Sequence, residues 1–430
     1  MRMNRKRLIR SKVKTLKSLV AGSRGVSVGE VVFDVRADLR EVMIAGGMAV
    51  MRAMFDEDLE RLCGPRYAHR ESAEALTRRW GAQRGAVVLG GRKVHVDKPR
   101  VRRGNKEVEL PGYEQLSRED PLTERMLEQM VIGVSTRKYK RSLEDVPDIE
   151  TFCESKSEVS RRFIAKTQEQ LDAELTKPLT GREWVALLID GIEFAGHVVV
   201  IVMGIDATGA KHPLGIREGS TENATLCREL LSDIIARGVP ANRSILVVID
   251  GAKGLHSAVK QVFGKYALVQ RCQVHKRRNV LDQLPEDKHA NVGAILSRAY
   301  GPAVSHESAH KQLINLVRVL EKEHPGAAAS LREGLDETIA VKTLGISCAL
   351  TKSLSTTNPI ENLNGTIRRV SGRVRRWRDG NMILRWVATG VIEAARGFRR
   401  LVGYRDMPKL VAALRRRDMQ LDGDILQNAG

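Results

Sequence analysis

Leu187-Leu188-Ile189-Asp190-Gly191 is an unbroken apolar run that ends on a carboxylate and a glycine, and Val247-Val248-Ile249-Asp250-Gly251 repeats the pattern. Apolar runs of this length, rich in Val, Ile and Leu, read as strands buried on both faces. An Asp-Gly at the end of such a strand puts the carboxylate in a turn, where it meets solvent. The glycine lets a neighbouring strand or a ligand come close. If the two strands are neighbours, Asp190 and Asp250 meet.

Composition limits what such a pair could serve. The chain has 430 residues, more than one hydrophobic core usually supports, so two to four domains are expected. Lys and Arg number 72 against 52 Asp and Glu, a net charge of +20, and a field of that sign favours a polyanion such as nucleic acid. No apolar run reaches the length of a membrane span, and the basic start, Met1 to Lys17, lacks the apolar stretch of a signal peptide. A cytoplasmic, nucleoid-associated protein is expected. Five scattered cysteines argue for reduced thiols rather than a disulfide scaffold.

Around the two Asp-Gly stretches the sequence alternates strand and helix signals. Trp184 to Asp190, His197 to Ile205, His212 to Ile216, Ser244 to Ile249 and Ala267 to Gln270 read as strands. Asn223 to Arg237, stopped by Gly238, and Leu255 to Phe263 have helical spacing. The order β-β-β-α-β-α-β is that of a ribonuclease-H-like domain, in which the first and fourth strands lie side by side. From Pro285 to about Leu350 the pattern is helical and polar.

The expected fold class is therefore α+β and multidomain: a ribonuclease-H-like catalytic core with a mixed five-stranded sheet, interrupted by an all-helical insertion and preceded by a helical DNA-binding region. The expected divisions are a basic tail at 1–27, a helical region with a small β patch at 28–115 and a helix-turn-helix-like domain at 116–178. The core follows at 179–284, the insertion at 285–350, and the last part of the core with basic C-terminal helices at 351–420.

A third carboxylate is offered by Glu361 in Asn358-Pro359-Ile360-Glu361-Asn362. Three converging carboxylates without Cys or His make a hard-oxygen site suited to Mg²⁺, with Mn²⁺ able to substitute. Two such ions would activate the attacking oxygen and stabilise the leaving oxygen of a phosphodiester. Asp190 would bridge them, Asp250 would ligate one and Glu361 the other. Glu361 has a rival reading as the N3 residue of a capping box with Asn358 as N-cap and Pro359 at N1. Asp206 and Glu222 are weaker competitors, one in a glycine turn and one at a helix start.

For DNA contact, the Ser-capped helix opening at Ser155, Lys156 and Ser157, with Ser160 and Arg161 behind them, suits a recognition helix. Lys276, Arg277 and Arg278 could bind phosphate near the acids. Arg368, Arg369, Arg373, Arg375 and Arg376 follow Glu361 with no acid among them, and such a cluster repels itself unless an anion lies alongside. Trp377, within the same cluster, reads as core or as a stacking platform. Cys272 and His275 supply two of the four ligands that zinc takes, with no second tight pair nearby, and read as packing or positioning residues.

Six blocks together resemble the signature segments of the bacterial Mutator-type insertion-sequence transposases. They are Asp190-Gly191, Gly219 to Asn223, Arg237-Gly238, Asp250 to Leu255, Gln270 to Val280 with its Cys-x-x-His, and Thr356 to Asn364. The resemblance covers roughly residues 180 to 400. It implies a DDE triad carried over to Asp190, Asp250 and Glu361 on a ribonuclease-H-like fold with a helical insertion. It further implies cleavage and strand transfer at element ends, double-stranded terminal repeats and target DNA as partners, a homodimer or larger assembly, and an excised circular intermediate. A nuclease of the same fold that cuts without joining, and a transposase-derived DNA-binding protein without catalysis, are the alternatives.

Overall fold

The computed structural model describes residues 28–66, 77–89, 92–118, 121–139, 151–152, 155–219 and 223–428. The expected basic tail 1–27, Gly90, Gly91 and Glu222 lie outside them. The chain divides into two compact units, residues 1–129 with 136–160, and residues 130–135 with 161–430.

In the first unit, α1 (Val28–Cys63) is a single helix. The strands β1 (Thr77–Leu89) and β2 (Arg92–Arg103) pair antiparallel, and β3 (Lys106–Val108) and β4 (Thr151–Phe152) both pair with β2. Helices α2 (Pro111–Arg118) and α3 (Pro121–Val131) complete it. Met51 and Phe55 of α1 pack with Val87 and Val96 of the sheet. Buried Asp58 of α1 accepts from the Gly112 amide in the first turn of α2 at 2.6 Å, so a helix N-terminus answers the buried charge. A Cβ at position 112 would sit 2.8 Å from Asp58 Oδ2, which explains the glycine.

Helix α4 (Lys156–Thr176) leads into the second unit. There β5 (Trp184–Phe194), β6 (His197–Asp206), β7 (Lys211–Gly219), β8 (Ile245–Ile249) and β9 (Ala267–Arg271) form a mixed sheet in the order β7-β6-β5-β8-β9. The pairs β5-β6 and β6-β7 are antiparallel; β5-β8 and β8-β9 are parallel. The first and fourth strands of this sheet are neighbours, as the strand order predicts. Helix α5 (Ala224–Ala236) is capped by Asn223, whose Oδ1 accepts from the Leu226 amide at 2.9 Å. Its predicted stop, Gly238, has φ +124 and lies against the Thr180 backbone.

Both faces of the sheet are covered. Leu187, Ile189, Val247 and Ile249 pack with α5 and with α6 (Lys253–Phe263) on one side. Helix α7 (Gln273–Leu281) follows β9, and α8 (Glu286–Ala299), α9 (His306–Glu323) and α10 (Pro325–Arg332) then gather around Leu296, Leu313 and Leu331 in a core of their own, helical as expected. On the other side of the sheet Ala186, Leu188, Leu246 and Val248 pack with α11 (Cys348–Leu354), α12 (Asn358–Ser371), α13 (Gly380–Arg396) and α14 (Met407–Asn428). The five residues of β8 are at most 1% exposed. At about 1.5–3 kcal/mol for each fully buried aliphatic side chain, and with a one-residue slip reversing every side chain, the register is held firmly. That register places the acids.

Candidate active site

The last paired rung between β5 and β8 joins Leu188 to Val248. Asp190 and Asp250 stand two residues beyond it on neighbouring parallel strands, so the sheet delivers both carboxylates to one edge. Asp250 closes an Asx-type turn, its Oδ1 accepting from the Ala252 amide at 2.9 Å, and Gly251 takes φ +107 to make the bend. Asp190 remains within β5, and its Oδ2 accepts from Asn364 Nδ2 of α12 at 2.8 Å.

Glu361 stands in the first turn of α12, one helical turn before Asn364 and on the same face. Asp190 feels the other two acids. Burial, then the charge of Asp250, then that of Glu361 push the Asp190 carboxyl up to about 6, while His275 and the Gly191 amide oppose the rise. The structure thus brings together the three acids singled out from the sequence.

Cys272 and His275 adjoin this group. The Cys272 amide donates to the Ile249 carbonyl at 2.7 Å, which ties the start of α7 to the last residue of β8. Burial works to raise the Cys272 thiol, but hydrogen bonds with His275 and Thr357 hold it below the usual range. The bond to Cys272 holds His275 above its own, against burial. His275 Nε2 lies 4.0 Å from Glu361 Oε1. Between them is Thr357, whose hydroxyl donates to Glu361 Oε1 at 2.7 Å.

Two readings of single residues change, and an open one is decided. The capping box does not form: α12 starts at Asn358 rather than after it, and Glu361 takes a hydrogen bond from the Thr357 side chain. Lys276, expected to meet phosphate, is 3% exposed and donates to the Ser330 and Glu333 carbonyls at 2.7 and 2.8 Å. Its charge answers the C-terminal end of α10 instead. Trp377 packs on Phe194 at 5.3 Å between ring centres, settling it in the core. Asp206, the rival acid, is consumed in its own turn by Thr208, Ala210 and His212, at the end of β6 that pairs with Trp184, whereas Asp190 pairs with Ile201.

The remaining basic candidates are accessible. Arg277 and Arg278 line a groove of 610 Å³ with Val274, Lys352 and Thr356, one residue from Thr357. Arg368, Arg369, Arg373, Arg375 and Arg376 are all exposed. At the start of α4, Ser155, Lys156, Ser157 and Arg161 are exposed and Ser160 is half-buried. Ser155 Oγ accepts from the Glu158 amide at 3.2 Å, the N-cap the sequence suggests. Asn364 and Thr357 were given no role by sequence reasoning. The signal available was spacing: Asn364 falls one turn beyond Glu361, where an acid-bearing helix places its next inward residue.

Among the described residues no helix is long and apolar enough to cross a membrane. Residues 32–400 match the family described as Transposase, Mutator family. The transposase for insertion sequence element IS6120 of Mycolicibacterium smegmatis is 30% identical over 217 residues, which is 48% of this chain and 64% of that protein. The IST2 transposase of Acidithiobacillus ferrooxidans is 28% identical over 177 residues, 41% of this chain and 58% of its own length. This chain thus spans less than two thirds of either relative. Coverage is fuller for the ISRM5 transposase of Rhizobium meliloti, 28% identical over 83% of this chain and 87% of that protein. On a match spanning most of its length, the chain belongs to the Mutator family of transposases.

Proposed function

We propose that this protein is a DNA transposase with a ribonuclease-H-like core, which cuts the ends of its insertion sequence and joins the freed 3′-hydroxyls to target DNA at one DDE site. Asp190, Asp250 and Glu361 form that site. The observation that carries the reading is their placement: Asp190 and Asp250 stand at the ends of neighbouring parallel strands, and the bond from Asn364 to Asp190 draws in the helix that bears Glu361. Carboxylates gathered this closely disfavour their own ionisation and call for cations. The donor set is all oxygen, and the buried Asn364 Oδ1, beside Asp190, is a further oxygen without a hydrogen-bond partner. Such a set fits Mg²⁺, with Mn²⁺ as a substitute. Bound there, the ions would neutralise charge developing on the attacking and leaving oxygens.

The chain's own residues orient the acids. Asn364 holds an oxygen of Asp190, the Ala252 amide one of Asp250, and Thr357 one of Glu361. Each carboxylate therefore meets the substrate with its rotation fixed, which spares reorganisation during the reaction. Arg277, Arg278 and the arginines after Glu361 would lie along phosphates, and Ser155, Lys156, Ser157, Ser160 and Arg161 would engage element ends. The partners are double-stranded terminal repeats and target DNA, bound by a homodimer or a larger assembly in the cytoplasm, on the nucleoid.

The test is cleavage and joining of labelled duplexes bearing the element's ends, in Mg²⁺ or EDTA. We expect metal-dependent cutting and joining by the wild type, and neither from Asp190→Asn, Asp250→Asn or Glu361→Gln, all of which still bind DNA. Cutting without joining would identify a nuclease. Tight binding without metal-dependent cutting would identify a non-catalytic DNA-binding protein.

A further inference from the structure

Cys272, His275 and Glu361 offer a thiol, an imidazole and a carboxylate whose donor atoms all lie within 4.8 Å of one another. That is the spacing of a metal-ligand set, yet a hydroxyl already lies against all three groups. Thr357 Oγ1 is 2.7 Å from Glu361 Oε1, 3.2 Å from Cys272 Sγ and 3.4 Å from His275 Nδ1. These are hydrogen-bond distances, well beyond the roughly 2.0–2.3 Å of zinc coordination. Thr357 is fully buried, and its amide also donates to Cys272 Sγ, at 3.4 Å.

A threonine hydroxyl has one hydrogen and two lone pairs. The carboxylate, charged and nearest, takes the hydrogen. Cys272 Sγ accepts from the Thr357 amide instead, and the hydroxyl's lone pairs are left facing His275 Nδ1. The Thr357 carbonyl meanwhile accepts from the Ile360 and Glu361 amides, both at 2.9 Å, so the backbone that carries the hydroxyl is fixed to the turn that carries Glu361.

We infer that Thr357, supported by Cys272 and His275, is the positioning residue for Glu361, in a cluster centred on a hydroxyl and not on zinc. The inference rests on the reading of Glu361 as a ligand of the catalytic ions. The Cys-x-x-His pair thereby gains a role, since its two side chains cradle the hydroxyl that aims the third acid. Loss of a group orienting a metal ligand typically weakens metal binding about 10–100-fold.

The experiment uses the full chain bound to an element-end duplex. Mn²⁺ binding is followed by electron paramagnetic resonance of the free ion, alongside elemental analysis for zinc. We expect substoichiometric zinc in the wild type. Thr357→Val should raise the half-saturating Mn²⁺ concentration at least about tenfold, while Thr357→Ser, which restores the hydroxyl, should stay within about threefold of wild type. If Thr357→Val does not fold, Cys272→Ala supplies the second variant, with an expected weakening of about threefold or more at unchanged DNA affinity. One zinc per chain that disappears in Cys272→Ala overturns the inference, as does wild-type Mn²⁺ binding by the folded variants. Asp190→Asn separates the two levels: if it too binds Mn²⁺ like the wild type, the reading of the acids as a metal site falls, and this inference with it.

Discussion

Asn364 Nδ2 donates to Asp190 Oδ2 across 2.8 Å and so joins helix α12 to strand β5, 174 positions apart in sequence. The bond is buried on the Asn364 side, which is 3% exposed. Leaving a buried carboxylate without its donor costs about 1–3 kcal/mol. Asn364→Ala should therefore lower stability by that amount in denaturant titration and impair cleavage. Asn364→Asp, which sets a fourth acid against Asp190, should be the more damaging of the two; equal or greater stability of Asn364→Asp would contradict this account.

Asp190 predicts an opposite effect on stability and activity. Its folded-state value of about 6 lies above the ordinary 3.8, so the folded state binds its proton more tightly than the unfolded state does. The stability this gives is fully present below the unfolded value and is lost as pH rises through about 6. Above that, ionised Asp190 costs on the order of 2–3 kcal/mol in the metal-free protein. Asp190→Asn should accordingly raise the melting temperature at pH 8 in EDTA, with the gain fading toward pH 4, while abolishing cleavage.

On the proposed reading of the acids as a metal site, the same proton competes with metal. Below about pH 6 a divalent ion must displace it from Asp190, and ligand deprotonation then enters the binding equilibrium. Calorimetric titration with Mn²⁺ should show affinity nearly constant above that pH. Below it the affinity should fall by about tenfold per pH unit for one displaced proton. A profile flat down to pH 4.5 would remove Asp190 from the ligand set.

Two neighbouring cations should behave differently. Lys276→Met removes the ammonium that caps the Ser330 and Glu333 carbonyls and should destabilise the fold by about 1–3 kcal/mol, with DNA affinity unchanged in the folded protein. Arg278→Ala, on an exposed groove residue, should leave the melting temperature alone and reduce the salt dependence of DNA binding by about one phosphate contact. Binding isotherms across a salt series distinguish the two.

How far the sequence could be read follows from where each signal is stored. Strands β5 and β8 announce themselves because burial on both faces leaves no polar interruption before Asp190 and Asp250. Strand β1 begins in Thr77-Arg78-Arg79-Trp80, a stretch too polar to register as a strand, and it is held there by pairing with β2. Glu361 was legible as a candidate acid, but its rival reading as a capping-box residue stayed open because local spacing cannot see Cys272. Thr357 turns toward that cysteine, 85 positions earlier, and hands its hydrogen to Glu361. Lys276 likewise carries no local mark of burial; the carbonyls it meets belong to a helix more than fifty residues on. Pairwise contacts between distant segments are what the linear pattern omits.

The placement of Glu361 also sets an order of events during synthesis. Asp190 and Asp250 can meet as soon as β8 docks beside β5, but their third companion lies beyond the helices that follow β9. At about 5–20 residues per second, the ribosome needs on the order of ten to thirty seconds to travel from Asp190 to Glu361. For the part of that interval after Asp250 emerges, the nascent chain carries basic surfaces and two acids without their partner on α12. On the proposed reading of the three acids, a chain interrupted before Thr357 lacks the third of them and is born unable to cut.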